Sequence, residues 1–175
     1  MRWRMRTRRP ASRALLPECT RATGRCAAIS NGVATRSRSR RARWAWRFDD
    51  IRLPRPEIEL GPPDWFEHLR IIGVPRGFLS SADQAAFHIL VARLGGENVA
   101  TAMAFDLGSD CGIYNVGTLE RGRRRGLGTA LTAVHVHDAL ARGCRTASLQ
   151  STEMAERVYA AVGFRDLGRI LEYVP

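Results

Sequence analysis

No lysine occurs anywhere in the 175 residues, so all 28 basic side chains are arginine. A Walker phosphate loop, which requires a lysine after its last glycine, is therefore excluded. Cysteine is scarce, and Cys19, Cys26, Cys111 and Cys144 show neither C-x-x-C spacing nor an adjoining histidine pattern. They read as free thiols rather than as a disulfide framework or metal ligands. His135 and His137 stand two apart, so on a helix they point in different directions and cannot chelate together, while His68 and His88 are isolated. No metal is expected. Apolar runs are short: none reaches the roughly 18 residues of a membrane span. Ala14-Leu15-Leu16 is too brief for the apolar core of a secretory signal. These absences together point to a soluble cytoplasmic protein with no membrane partner.

Acidic residues are also rare, but only in one part of the chain. Residues 1–50 carry 14 arginines against Glu18, Asp49 and Asp50, which accounts for the whole formal charge of +11. Residues 51–175 are electrically balanced. The basicity belongs to one segment, so it says nothing of nucleic-acid binding by the rest. Residues 1–43 are rich in Arg, Ser, Ala and Thr without sustained periodicity, and disorder is the expectation. A transit-like segment, a phosphate-neutralising arm with Trp3, Trp44 and Trp46 available for stacking, and a start at Met5 or later are the competing readings. The resulting division is a basic extension over 1–50 and a folded domain over 51–175.

In order, Arg43 to Phe48 alternates, with both tryptophans and Phe48 on one side, and reads as a short first strand. Prolines and glycines make 49–63 a linker. Asp64 caps a helix running to about Ile72, with Trp65, Leu69 and Ile72 on one face. Ser80 or Ser81 begins a short turn. Strands follow at 87–94, 99–107 and 112–119, the first two joined by a hairpin turn at Gly95-Gly96-Glu97-Asn98. A helix over about 126–142 ends near Gly143, and a strand occupies 145–150. Ser151 or Thr152 should cap a helix bearing Tyr159, and Leu167 to Val174 is a last strand. Three antiparallel strands followed by strand–helix–strand–helix–strand predict an α/β fold whose mixed, largely antiparallel sheet has flanking helices.

The most informative stretch joins the strand ending Val116-Gly117-Thr118 to the helix starting near Gly126. A glycine-bearing loop at a helix N-terminus presents unpaired N–H groups and the positive end of the macrodipole, which favours a phosphate or pyrophosphate. Gly126 and Gly128 permit close approach to the backbone, and Arg123, Arg124 and Arg125 supply charge. A dinucleotide fingerprint would need Gly or Ala where Leu131 stands. What fits is Arg123-x-x-Gly126-x-Gly128, which resembles the Q/R-x-x-G-x-G/A signature of the GNAT superfamily of N-acetyltransferases. A second segment, with Ala155, Val158, Tyr159, Gly163 and Phe164 in place, resembles that family's A-x-x-(L/V)-Y-x-x-x-G-F helix. The resemblance is strong from about Phe87 to Tyr173 and absent before Ile51, so the N-terminal part of the family's fold is expected to be reduced.

The resemblance implies acetyl-CoA as co-substrate and an amine as acceptor. Its diphosphate would lie on the loop Arg124–Thr129, which includes Leu127 and Thr129, and its pantetheine arm along Val116, Gly117 and Thr118. A slot between that strand and the one at 145–150, and direct attack of a neutral amine on the thioester, are implied as well. Tyr159 is the expected general acid for the leaving thiolate; the alternative is a ring that only packs beside the cofactor. No general base is assigned: Ala147 stands where some members carry Glu, and Thr152 where Asn is frequent. Glu120 and Glu153 read as solvated surface charges. Two other functions stay open at this point, a cofactor-binding module without catalysis and a tRNA-directed acetylating toxin whose arginine-rich tail contacts phosphates.

Overall fold

The computed structural model describes residues 41–47 and 54–170 with their side chains, and the backbone course of 29–30, 33–34, 36–40 and 171–174. Two short strands, β1 (Ile29–Ser30) and β2 (Val33–Ala34), form an antiparallel pair of their own. The larger compact unit, Arg40–Leu171, holds most of the six-stranded sheet. Its strands are β3 (Arg36–Arg47), β4 (Phe87–Leu94), β5 (Glu97–Leu107), β6 (Asp110–Thr118), β7 (Thr146–Ser151) and β8 (Arg165–Val174), in the order β4-β5-β6-β7-β3-β8. β4, β5 and β6 run antiparallel, β6 and β7 parallel, and β7 pairs antiparallel with β3. The expected mixed, largely antiparallel sheet is what the chain forms.

The local reasons are visible in the residues. Gly95 and Gly96 both take positive φ, 58° and 82°, as a two-residue hairpin turn demands. Helix α1 (Trp65–Ile72) begins at Asp64, whose carboxylate accepts from the N–H groups of Phe66 and Glu67, and ends on left-handed Gly73. Its buried face is Trp65, His68, Leu69 and Ile71, one position away from the expected stripe ending at Ile72. Helix α2 (Leu127–Ala141) is the crossover between parallel β6 and β7, and α3 (Glu156–Val162) links β7 to β8. The expected cap of α3 is not made: a single 3-10 turn at Glu153–Ala155 precedes it, and neither Thr152 nor Ala155 supplies a side-chain cap. Ser151 is occupied instead as the acceptor for the buried Trp44 indole N–H at 2.9 Å.

Each face of the sheet carries its own core. Leu149, Val136, Val162, Trp44, Trp46 and Phe164 pack on the α2/α3 face, and Trp65, Leu69, Ile89, Val91 and Met103 pack on the α1 face. The boundary drawn at residue 50 falls too late. Ala42, Trp44 and Trp46 are buried while Arg41, Arg43 and Arg47 face out, so an amphipathic strand lies within what composition alone reads as a basic tail. The alternation expected over residues 43–47 is observed, whereas disorder is not, for the residues described from 36 onward. Phe48 and residues 1–28 lie outside the described residues.

The linker also contributes. Gly61 donates to Val91 O and Arg93 to Glu59 O, so residues 59–61 run along the free edge of β4 and cover hydrogen-bonding groups that would otherwise stand open.

Candidate functional site

The site begins with a fault in strand pairing. Met103 faces Tyr114 and Thr101 faces Gly117, so one residue on β5, Ala102, is matched by two on β6, Asn115 and Val116. The extra residue is accommodated by Asn115, whose φ of 52° is left-handed. Side-chain directions record the same insertion. Ile113 and Val116, three apart, both pack on the α2/α3 face; Tyr114 and Gly117 point to the other face, where a Cβ on Gly117 would meet Ile72 of α1 at 3.0 Å.

Beyond the bulge, β6 and β7 separate. Their parallel pairing runs from Asp110↔Thr146 to Ile113↔Leu149 and stops there. One end is clamped by Asp110, whose carboxylate accepts from Thr146 Oγ1 at 2.7 Å and Ser148 Oγ at 2.6 Å. At the far end β6 is held on its other side, with Leu119 N donating to Val99 O at 2.8 Å, and β7 stays paired with β3 along its whole length. On the β7 side, the backbone of Asn115 to Thr118 has no strand partner among the described residues. A hydrogen-bonding edge inside a sheet is a receptor for an extended ligand.

The loop after β6 supplies the second component. A 3-10 turn at Glu120–Gly122 is followed by Arg123, extended, then Arg124 at φ 59° and Gly126 at φ 75°. Gly126 is the residue before α2, no side chain caps that helix, and the first backbone bond of its opening turn is Ala130 N to Gly126 O. The N–H groups of Leu127, Gly128 and Thr129 thus have no intrahelical acceptor, as at any helix start. Nothing lies within 4 Å of a Cβ built on Gly126, so the approach is clear. Leu127 buries its side chain and offers only its backbone. Arg123 Nε reaches Thr118 O at 3.3 Å, tying the loop to the strand end; Arg124 and Arg125 are exposed.

Helix α3 closes the group. A Cβ on Gly128 would lie 3.7 Å from Val116 and 3.9 Å from Val158, so strand, loop helix and α3 meet at that glycine. Tyr159, the next residue, is buried in the α2/α3 core, with its ring edge-on to Phe164 at 6.3 Å. Burial raises its phenol pKa, which keeps the proton on oxygen at neutral pH. Val116, Gly128 and Val158 are therefore neighbours in space, across two motifs thirty residues apart, while the Tyr159 ring packs into the core against Phe164. Glu120 and Glu153 are exposed. Sequence reasoning missed the bulge residue Asn115 and its neighbour Tyr114, which is 47% exposed and projects from the α1 face. The short spacing Gly112-x-Tyr114, a small residue beneath an aromatic on one strand face, was the available signal.

Among the described residues no cluster of three His, Cys, Asp or Glu side chains could hold a metal, and no helix is long and apolar enough to cross a membrane. Cys111 and Cys144 are buried free thiols, with burial pushing both upward in pKa. Cys19 and Cys26 lie outside the described residues.

Known proteins share this fold. The model of the acetyltransferase (GNAT) family matches residues 43–164. A GCN5-related N-acetyltransferase from Kribbella flavida superposes with a TM-score of 0.63 at 24% identity over 79% of this chain and 59% of its own. One from Sphaerobacter thermophilus gives 0.62 at 19% identity, over 79% of this chain and 52% of its own. The chain thus spans little more than half the length of these two. A Bacillus subtilis acetyltransferase solved in complex with CoA gives 0.51 at 19% identity, over 62% of this chain and 76% of its own. No curated protein matches the chain significantly.

Proposed function

We propose that this chain, which belongs to the acetyltransferase (GNAT) family, moves an acetyl group from acetyl-CoA to an amine by direct attack. The observation that carries the reading is the parting of β6 from β7 after Ile113↔Leu149, immediately beside a helix start without a side-chain cap. An extended arm ending in a diphosphate suits that pair of features, since one supplies a strand edge and the other an anion site. The CoA complex of the Bacillus subtilis relative supports the choice of ligand.

In this reading the N–H groups of Leu127, Gly128 and Thr129, with Arg124 and Arg125, hold the diphosphate. Arg123 fixes the loop against Thr118, and the backbone of Val116, Gly117 and Thr118 pairs with the pantetheine arm. The thioester supplies an activated acetyl carbonyl. N–H groups of the 116–118 strand stabilise the charge that develops on its oxygen, and they are rigidly held because the other edge of β6 is paired. Tyr159, a phenol protonated at neutral pH whose pKa burial raises further, donates to the leaving sulfur.

Calorimetric titration of the full chain with acetyl-CoA, followed by thiol release in an amine screen, tests the reading. Binding accompanied by turnover supports it. Binding without turnover on any amine makes the chain a binding module, and no binding removes the reading altogether.

A further inference from the structure

A cavity of about 410 Å³ opens on the α1 face of the sheet beside the bulge. That is the size of a small-molecule site rather than of a protein interface. The loop after α1 gives it Phe78 and Leu79, β4 gives Phe87, and β5 gives Met103 and Phe105. Tyr114 and Asn115 of β6 complete the wall. Phe87 and Phe105 belong to one row of rings, with Trp65 5.7 Å from Phe87 and Phe87 5.5 Å from Phe105. Phe78 and Leu79 are 43% and 39% exposed, and Leu79 sits at φ 55°, which a leucine adopts only against a steric cost. A second hollow, of about 180 Å³ and more polar, borders the first, with Arg43, Ser148 and Gln150 in its wall. Tyr114 lines both and stands between them. Its phenol end lies over Gly112: a Cβ there would come within 2.3 Å of the phenol oxygen.

We propose that the larger cavity seats the body of the acceptor, and that the acceptor is a small primary amine bearing an uncharged aromatic or branched aliphatic group. This rests on the acetyltransferase reading above. Three observations converge on it. Asn115, a wall of the cavity, immediately precedes Val116, so an amine anchored here reaches the backbone expected to hold the thioester. Of the seven lining residues only Tyr114 carries an ionisable group, so a polycation or an amino sugar would lose hydration without recovering it. The same apolar wall disfavours an ammonium ion and lowers the amine's pKa, which supplies the neutral nucleophile without a dedicated base. The nitrogen lone pair forms the C–N bond as the C–S bond breaks with its electron pair on sulfur. The proton lost by nitrogen passes to water and balances the one gained by the thiolate.

The test uses the full chain, acetyl-CoA and three amines: 2-phenylethylamine, spermidine and glucosamine, with free thiol as the readout and calorimetry for acetyl-CoA. The expected result is a kcat/KM for 2-phenylethylamine at least about tenfold above the other two. Phe78→Asp, on an exposed loop, should raise its KM by about tenfold and leave the acetyl-CoA Kd unchanged. Gly112→Ala, which displaces Tyr114 without removing it, should also act through KM. A preference for spermidine or glucosamine, a preference that survives Phe78→Asp, or acetyl-CoA binding with none of the three amines turned over would overturn the acceptor assignment alone. Failure to bind acetyl-CoA would overturn both readings.

Discussion

In the proposed reaction Tyr159 is the proton donor, a role that its buried phenol suits. Burial against Phe164 keeps the phenol protonated well above neutral pH. Tyr159→Phe preserves the ring packing, so the melting temperature and the acetyl-CoA Kd should hold while kcat falls about a hundredfold. An unchanged kcat would leave the tyrosine a packing role only. The sequence singles this residue out as a candidate because it sits in a motif with a fixed offset to Gly163 and Phe164. Tyr114 has no such offset. Its importance comes from Gly112 beneath it and from loop residues Phe78 and Leu79, which meet it only after folding.

At the level of elements, the loop into α2 is held in shape by backbone conformations that most side chains resist. Gly126→Val places a β-branched residue at φ 75°, which should cost roughly 1–2 kcal/mol of stability. Acetyl-CoA affinity should fall by about tenfold or more, because the N–H groups of the helix start lose their alignment. Denaturant melts and calorimetry check the two effects separately. Most elements were readable from hydrophobic period: β4 appears over the expected residues, and α2 and β7 are displaced by a residue at most. The bulge was not, because period-two reasoning assumes an unbroken pleat. Ile113 and Val116 share a face only once an extra residue has been inserted, and nothing at Asn115 announces that. The cap of α3 misled for a related reason. Ser151 has a cap's chemistry, but the indole of a residue 107 positions away claims its oxygen first.

For the molecule as a whole, two expectations concern stability. Trp44 and Trp46 lie in the core of the α2/α3 face, so Trp44→Ala or Trp46→Ala should each cost about 3–5 kcal/mol in urea unfolding, although composition assigns both to the tail. The second is a pH dependence. Thr101 Oγ1 donates to Leu90 O, so His68 donates to it through Nδ1 at 2.9 Å, and Nε2 is left as a buried acceptor with no partner. Burial pulls His68 from 6.5 to about 4, and likewise the enclosed His135. Both are lowered on folding, so the unfolded chain binds their protons first. Stability is complete above about pH 6.5 and is lost as pH falls toward 4. For His135 alone the loss is on the order of 2–3 kcal/mol. Melting temperatures at descending pH should show this slope, and His135→Leu should flatten it. Asp106, held at about 2 by the Arg142 guanidinium, loses its contribution in a lower window, below its usual 3.8.

Strand β3 sits between β7 and β8, yet it is made about a hundred residues before either. A ribosome delivers it with two indoles and nothing to bury them against, and it must wait until most of the chain has emerged. The hairpins from β4 to β6 can assemble meanwhile, since their contacts are local. Closure of the sheet is then a late, long-range event, and the interval before it is when the nascent chain is most exposed to aggregation or to capture by a chaperone.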